Sequence, residues 1–578
     1  MRLNRTGTGI TIGGLLMLPL ISVSYLASEL VGVSFAPFDL FDWVTRVLPG
    51  SVVTFGIDLM IDVIGVFGAG ISDTAKSAER AIALIQLVVA GAAFGAIYSG
   101  FTQNYERRQA LISAAGIGAF VGFLMALISS SIGGYSTNGT VAVLWSMVLF
   151  AGWATAVGFV QLRLESGRSA DISEAEAEAE ARPEAEFDQS LTKVGRREFV
   201  IKVGASVAVL TVASTSVGSL LANAARRELE ASVKATSGAS SAAPVAVEAS
   251  AVAAGIPAEA PIPAIDLLPF TNVDDPVTAA PGTRPEYTDT KDHYDISLRT
   301  RATEIDGSEW TLDITGLVPE PVSFSIADLR RDFEAHNRFV TLSCISGPVG
   351  SRLMSTTQWT GLSVQDLLDR IQPFENARYL DFTCADGFHE VVDIRHIQDD
   401  ERIMLCYAWN GEPLPIDHGF PLRIWLPDRY GMKQPRWIES IEITDKYREG
   451  YWVKRGWDAV ARIQPTSAVD IVSKDDVYEV DGQSFVPVGG IAFAGTRGIS
   501  KVEVRIDQGP WQLADLRAPL SDSTWTVWRY DWPFEAGLHE FEVRCVTGDG
   551  APQEEDNRDV HPSGATGIHS IKRRLEST

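Results

Sequence analysis

Apolar residues are spread unevenly along the chain, and the unevenness separates a membrane part from a soluble part. Residues 10–30, 81–101, 110–130 and 141–162 are near-continuous apolar runs. As helices rising 1.5 Å per residue, each is long enough to cross a hydrocarbon layer ~30 Å thick. A further run, residues 199–222, starts directly after Gly195-Arg196-Arg197-Glu198 and predicts a last crossing. Residues 51–71 are apolar too, but Asp58 and Asp62 sit inside the run, each costing ~2.5–3.5 kcal/mol at mid-membrane. That stretch is read as re-entrant or interfacial, which leaves five crossings.

Lys and Arg near span ends are retained in the cytoplasm. With five crossings, Arg2, Arg5, Arg107, Arg108 and the cations of residues 163–202 share the cytoplasmic side, and everything after residue 222 lies outside. A sixth crossing at 51–71 would force one of these clusters out. Arg196-Arg197 ahead of an apolar run resembles a twin-arginine export signal in an internal position, and also fits a plain positive-inside anchor. Ala222-Asn223-Ala224 fits a small-residue cleavage site, so anchoring and release both stay open.

Past residue 266 the periodicity shortens. Ser325-Ile326-Ala327-Asp328 and Ser363-Val364-Gln365-Asp366 each match a capping box opening a helix. Strands are predicted at 339–343, 379–384, 403–409, 422–426 and 438–444. From about residue 464 only strands remain: Val502, Val504 and Ile506 alternate with polar residues, as do Trp528, Tyr530 and Trp532, and Phe541, Val543 and Cys545. The expected organisation is multi-domain. Membrane helices occupy 1–165, an acidic linker 166–195, and the twin-arginine-like motif with the last transmembrane helix 196–224. An Ala/Ser/Pro-rich linker follows at 225–265, then a mixed α+β domain at 266–462 and an antiparallel, immunoglobulin-like β-sandwich at 463–578.

Charge and composition remove several functions. With 49 Lys and Arg against 74 Asp and Glu, the net charge is −25 and no groove-sized basic patch exists, so nucleic-acid binding is disfavoured. Four cysteines without zinc or c-haem spacing form neither a disulfide scaffold nor a metal cluster, and the scattered histidines lack copper or zinc ligand spacing. All eight histidines follow residue 292, so the spans hold no histidine for a haem iron. The spans are left as an anchor, a docking surface for a redox partner, or a quinone site without histidine. Cys344 ends a β-rich run and precedes a loop with Gly347, Pro348 and Gly350, a place where folds expose reactive groups. Cys384, Cys406 and Cys545 lie in apolar strands and read as packing residues.

The ordered set Val340-Thr341-Leu342-Ser343-Cys344, Thr360-Gly361, Leu367-Leu368, Leu414-Pro415-Ile416-Asp417-His418-Gly419-Phe420-Pro421-Leu422-Arg423, Tyr430-Gly431-Met432-Lys433 and Trp437-Ile438 resembles the sulfite oxidase family of molybdenum enzymes. The resemblance covers about residues 266–573, and the terminal sandwich is similar to that family's dimerisation domain. It implies a molybdenum held by a pyranopterin dithiolene and one protein cysteine, here Cys344, as catalytic residue and metal ligand. It further implies that His418, Arg423 and Lys433 contact the pterin and its phosphate, and that Asp386 accepts from the pterin ring. A homodimer through the C-terminal domain follows from the same resemblance.

Three departures bear on substrate. Sulfite-oxidising members place an arginine five residues after the cysteine, where this chain has Val349; the nearest arginine is Arg352. The methionine sulfoxide reductase pattern has a carboxylate two residues after the cysteine, where this chain has Ser346. The tyrosine expected after the Trp437 strand has no clear counterpart, with Tyr447 and Tyr451 nearby. The expectation is therefore a multi-pass enzyme of the cell membrane with an extracytoplasmic catalytic domain, transferring oxygen atoms to or from an S- or N-oxide type substrate. Electrons pass to or from a separate cytochrome or quinone, because no haem, iron–sulfur or nucleotide motif exists in the chain. The competing expectation is an inactive surface-binding module of the same fold.

Overall fold

The computed structural model describes residues 5–48, 71–132, 139–180, 196–237 and 267–576. The reading of residues 51–70, with Asp58 and Asp62, falls outside them. Among the described residues, the N-terminal part has six helices: α1 (Arg5–Val31), α2 (Ala36–Val47), α3 (Ile71–Phe101), α4 (Arg107–Ser131), α5 (Gly139–Glu180) and α6 (Arg196–Ser237). Within all but α2 lie five segments long and apolar enough to cross a membrane: Arg5–Val31, Lys76–Phe101, Arg107–Ser131, Gly139–Leu164 and Ile201–Ala231. The short α2 was not expected from the sequence; its buried Asp39 accepts a 2.5 Å hydrogen bond from Ser129. Glycines let backbones meet where apolar side chains give no selectivity in lipid: a Cβ on Gly118 or Gly122 would strike the backbone of α5. Two stretches expected to begin linkers are helical. Residues 166–180 continue α5 and 225–237 continue α6, since Ala- and Glu-rich sequence propagates a helix at little cost.

The helices of residues 5–48 and 77–228 form one compact unit and residues 229–578 belong to another. The second is built from sheets. In chain order its elements are β1 (Thr311–Gly316), β2 (Val322–Ser325), α7 (Ile326–Asp332), β3 (His336–Ser343), β4 (Met354–Ser363), α8 (Val364–Ile371), β5 (Tyr379–Cys384), β6 (His389–Asp393), α9 (Ile394–Asp399), β7 (Met404–Trp409), β8 (Glu412–Pro413), β9 (Arg423–Trp425) and β10 (Ile438–Thr444). Then come β11 (Thr466–Val472), β12 (Tyr478–Val480), β13 (Gln483–Phe493), β14 (Ile499–Ile506), β15 (Gln512–Leu513), β16 (Asp515–Leu516), β17 (Thr526–Pro533), β18 (Gly537–Thr547) and β19 (His569–Leu575). One sheet runs β2-β1-β10-β5-β6, with β1 and β10 parallel; a second runs β3-β4-β7-β8, with β9 beside β7. Every residue of β4 and β7 is buried, because core packs on both faces of this second sheet. Leu362, Leu405 and Ile424 join the core of the first sheet, and Trp359, Cys406, Trp409 and Trp425 form another.

Ser325 makes the expected capping box with Asp328 (3.2 and 2.9 Å). At α8, Ser363 caps alone, accepting from the backbone of Gln365 and Asp366. The C-terminal strands form two antiparallel sheets, β11-β13-β17-β16 and β15-β14-β18-β19, over one shared core containing Val488, Val504, Trp528, Phe541 and Val543. The boundary placed at 462 is a change of texture, not a gap in packing. Ile345, Met354, Tyr430 and Met432 share a core with Ala468, Ile491, Phe493 and Trp525, and Thr341 donates its backbone N–H to Ser523 at 2.9 Å.

Candidate active site around Cys344

Cys344 is the first residue after β3. Its N–H donates to the carbonyl of Leu353 (3.0 Å) and its own carbonyl accepts from Gly347 (3.2 Å), closing residues 344–353 into a compact loop between β3 and β4. Gly350 has φ +81°, and a Cβ there would run into the ring of His569. Arg284, tied to Asp470 in a buried ion pair of 2.6 Å, donates to the carbonyl of Ser351 at 3.0 Å. The strand end thus presents the thiol on a loop clamped from two sides.

The half-buried sulfur lies 3.0 Å from the hydroxyl of Ser346. Burial pushes the thiol above its ordinary value, opposed by the Ser346 contact and the Arg436 charge. On one side is a small cavity of about 20 Å³, lined among others by Pro348, Val349, Leu353, Met354, Tyr430 and Ile491, with no charged side chain among its described lining residues. It has room for a water-sized occupant. Val349, at the position that departs from the sulfite-oxidising pattern, is part of this lining.

On the other side the thiol borders the core of Tyr294, Trp359, Trp409 and Phe420. Arg423, 2% exposed, stacks on Trp359 at 4.3 Å and donates to the carbonyl of His418 at 2.9 Å, while its Nε has no partner. Burial, then repulsion from Arg436, lowers its pKa to about 9, so it keeps its charge at neutral pH. The His418 ring packs 4.5 Å from Trp409 and 5.0 Å from His293. Cys344, His418 and Arg423 are thereby brought to one cluster.

Lys433 and Asp386 are placed differently. Lys433 ends the turn Gly431–Lys433 and donates to Glu390 of β6 at 2.7 Å, both side chains almost fully buried. Burial pushes the Glu390 carboxyl up, and the ammonium opposes this. Asp386 lies buried in the β5–β6 turn, where it accepts from the N–H of Phe388 at 2.9 Å. The turn is linked to the cluster indirectly: Ala385 donates to the carbonyl of Trp437, whose indole donates to the carbonyl of Ile416, both at 2.9 Å.

Sequence reasoning missed Arg436 and the segment His293-Tyr294-Asp295. Arg436 stacks on Trp437 (4.6 Å), pairs with Asp295 (3.1 Å) and donates to the carbonyls of Asp417 (3.1 Å) and Ile296 (2.5 Å), sewing two segments together. Periodicity could not find residues 293–295, which lie in irregular chain; an unassigned histidine beside a tyrosine was the one available signal. The tyrosines whose ionisation feels the Cys344 charge are Tyr294 and Tyr430, each shifted upward chiefly by burial. Tyr447 is 52% exposed, and Tyr451 belongs to the core of the first sheet.

The donor set fits a planar heterocycle with an anionic tail: an unfilled guanidinium N–H, an unfilled imidazole nitrogen on His293, aromatic walls and a nearby thiol. The family model and the sequence relatives point the same way. Residues 299–452 match the family described as oxidoreductase molybdopterin binding domain. The chain is 29% identical over 271 residues to a nitrate reductase [NADPH] of Fusarium oxysporum, covering 38% of this chain and 30% of that protein. It is 25% identical over 313 residues to the mitochondrial sulfite oxidase of Macaca fascicularis, covering 46% and 56% respectively. The sulfane dehydrogenase SoxCD of Paracoccus pantotrophus aligns with 58% of this chain and 98% of its own, at 18% identity and a TM-score of 0.44.

Proposed function

From residues 299–452 being a molybdopterin-binding domain of the sulfite oxidase type, we propose that the chain is a membrane-anchored, extracytoplasmic oxidoreductase performing two-electron oxygen-atom transfer on a small or protein-borne S- or N-oxide. The observation that carries this reading is the Cys344 thiol on a clamped loop beside a buried, unfilled guanidinium. When bound, molybdenum with its dithiolene supplies the oxygen-atom and electron-pair chemistry. Cys344 supplies the protein sulfur to the metal. Arg423 and His418 hold the pterin and its phosphate, Arg436 keeps residues 295–296 and 417 in register around them, and Lys433, once released from Glu390, joins Asp386 as the outer part of the contact set. The Tyr294 and Tyr430 hydroxyls, held neutral by burial, are available as hydrogen-bond donors in the cores that border Cys344.

Val349, standing where sulfite-oxidising members place an arginine, supports an uncharged oxide over an oxyanion such as sulfite, because an anion without a cation there loses its solvation uncompensated. The five apolar helices support multi-pass membrane anchoring, with the basic loops inside and residues after 222 outside; Arg196 and Arg197 act in export. A separate cytochrome or quinone carries the electrons, and the C-terminal sheets, immunoglobulin-like in strand count and spacing, pair two copies.

The test is elemental and kinetic. Detergent-purified full chain from a molybdopterin-competent host should carry near-stoichiometric molybdenum and turn over S- or N-oxides faster than sulfite. Cys344→Ser should abolish turnover with the fold intact. Folded protein devoid of molybdenum would favour the binding-module reading, and sulfite as the best substrate would overturn the substrate class.

A further inference from the structure

Along residues 267–273 the usual placement of polar and apolar groups is inverted. The backbone is fastened to the sheet region by polar bonds: Leu268 donates its N–H to Gln358 at 2.9 Å, the Thr271 hydroxyl donates to the carbonyl of Leu520 at 3.0 Å, and Arg517 donates to the carbonyl of Asn272 at 2.9 Å. The large apolar side chains are left outside. Leu267, Leu268, Phe270 and Val273 are between 38% and 71% exposed, and no other described stretch of the sheet region exposes more than two large apolar side chains so close together. A single exposed leucine needs no explanation, but a continuous apolar rim does. Beside the rim is a groove of about 300 Å³ lined by Leu268, Pro269, Phe339, Leu520, Arg338 and Asp522 among others. Asp522 is paired with Arg402 at 3.1 Å, whereas Nε of Arg338 has no hydrogen-bond partner among the described residues.

The position of this stretch in the chain says what covers it. Ile201–Ala231 is apolar enough to cross a membrane, and α6, which carries it, ends at Ser237, 29 residues before the rim begins at Leu267. A link of that length spans at most ~100 Å. It keeps the rim at high effective concentration beside a bilayer, so even a small apolar contact is populated. Leu, Phe and Val side chains with a guanidinium behind them match the boundary between acyl chains and phosphates. Of the two neighbouring carboxylates, Asp275 is turned inward, accepting from the N–H groups of Val277 (2.8 Å) and Ala518 (2.9 Å). Asp274 is exposed and stops the rim from sinking below the headgroups. We propose that residues 267–273 and Arg338 form a lipid-docking patch, the apolar side chains entering the surface of a phospholipid bilayer and Arg338 meeting a lipid phosphate. This rests on the membrane-anchoring reading above.

The test uses the full chain with Val273→Cys in a Cys344→Ser background, where the remaining cysteines are buried. The new thiol is labelled with bimane and the protein is placed in nanodiscs of phosphatidylethanolamine and phosphatidylglycerol, with and without a lipid carrying a nitroxide near its headgroup. The nitroxide lipid is expected to quench the label at least about twofold, as contact at the headgroup boundary requires. Adding Leu267→Ser, Leu268→Ser and Phe270→Ser together should remove most of that quenching, and Arg338→Gln should lower it in part. An unquenched label, or quenching untouched by the triple substitution, would overturn the patch; quenching untouched by Arg338→Gln would overturn the phosphate contact. A label shielded from water yet not quenched means that residues 238–266 or a second copy cover the rim, which also overturns the proposal. Protein that does not enter nanodiscs would instead remove the membrane-anchoring reading. Should the triple variant fail to fold by circular dichroism, Leu267→Ser alone decides, since that side chain is 62% exposed: weaker quenching supports docking and unchanged quenching overturns it.

Discussion

Arg423 and Lys433 come from one stretch of sequence and one motif, yet the fold gives them opposite surroundings. Arg423 is buried without a carboxylate, held by the face of Trp359 and the carbonyl of His418, with its Nε unfilled. Lys433 is buried to a similar degree but spent on Glu390 at 2.7 Å. A desolvated cation without a counter-ion is unfavourable unless an anion arrives, whereas a paired one is internally balanced. The difference teaches that cationic type and position do not make a ligand site; the unmet donor does. Arg423 keeps a donor open. Lys433 must first leave Glu390, or act on the site through it.

This contrast can be broken by measurement. Glu390→Gln strands the Lys433 ammonium in the interior and should destabilise the protein by ~3–5 kcal/mol in chemical denaturation, with Glu390→Leu/Lys433→Met recovering much of the loss. Arg423→Met should change the stability of cofactor-free protein by less than about 1 kcal/mol, because the lost cation–π and carbonyl contacts are offset by relief of desolvation, while abolishing pterin retention. Equal destabilisation by the two single substitutions would erase the distinction.

The remaining effects are smaller. Burial holds His293, His389, His396 and His569 below the ordinary imidazole value. The unfolded chain then binds protons that the native state refuses, so stability is complete above about pH 6.5 and is lost as pH falls through that value. A thermal midpoint that stays flat from about pH 7 to 5 would contradict this, and His569→Asn should shallow the slope. Ser346→Ala removes a contact that lowers the thiol pKa, so Cys344 in cofactor-free protein should alkylate roughly two- to tenfold more slowly near neutral pH.

Elements with a strong period were legible in sequence. β5 and β10 lie where predicted, and the alternation of Val502 with Val504 and of Phe541 with Val543 marks the inward face of one sheet, β15-β14-β18-β19. Ser325 announces its helix because its cap is local. The helical stretches of residues 166–180 and 225–237 escaped, since an acidic or Ala-rich run has no apolar stripe to separate linker from helix, and α2 escaped because it is only 12 residues long, too short to stand out as a span. Cys344, His418 and Arg423 were singled out from motif order and lie in one cluster, whereas their neighbours Arg436, His293 and Tyr294 were not singled out. Their importance lies in partners more than 100 residues away, such as Asp295 for Arg436 and Trp409 for His293.

By itself the sequence determined that apolar runs able to cross a membrane precede a strand-rich region, and that one cysteine stands at a strand end ahead of a Gly- and Pro-containing loop. Both follow from local pattern: hydrophobic length in one case, strand and turn residues in the other. Only the tertiary structure decided which cations remain unfilled, that the thiol loop is clamped by Arg284 and His569, and that the sheets before and after residue 462 share one core. Burial and pairing are properties of contacts between distant segments, and no local pattern encodes which partner a buried charge will meet.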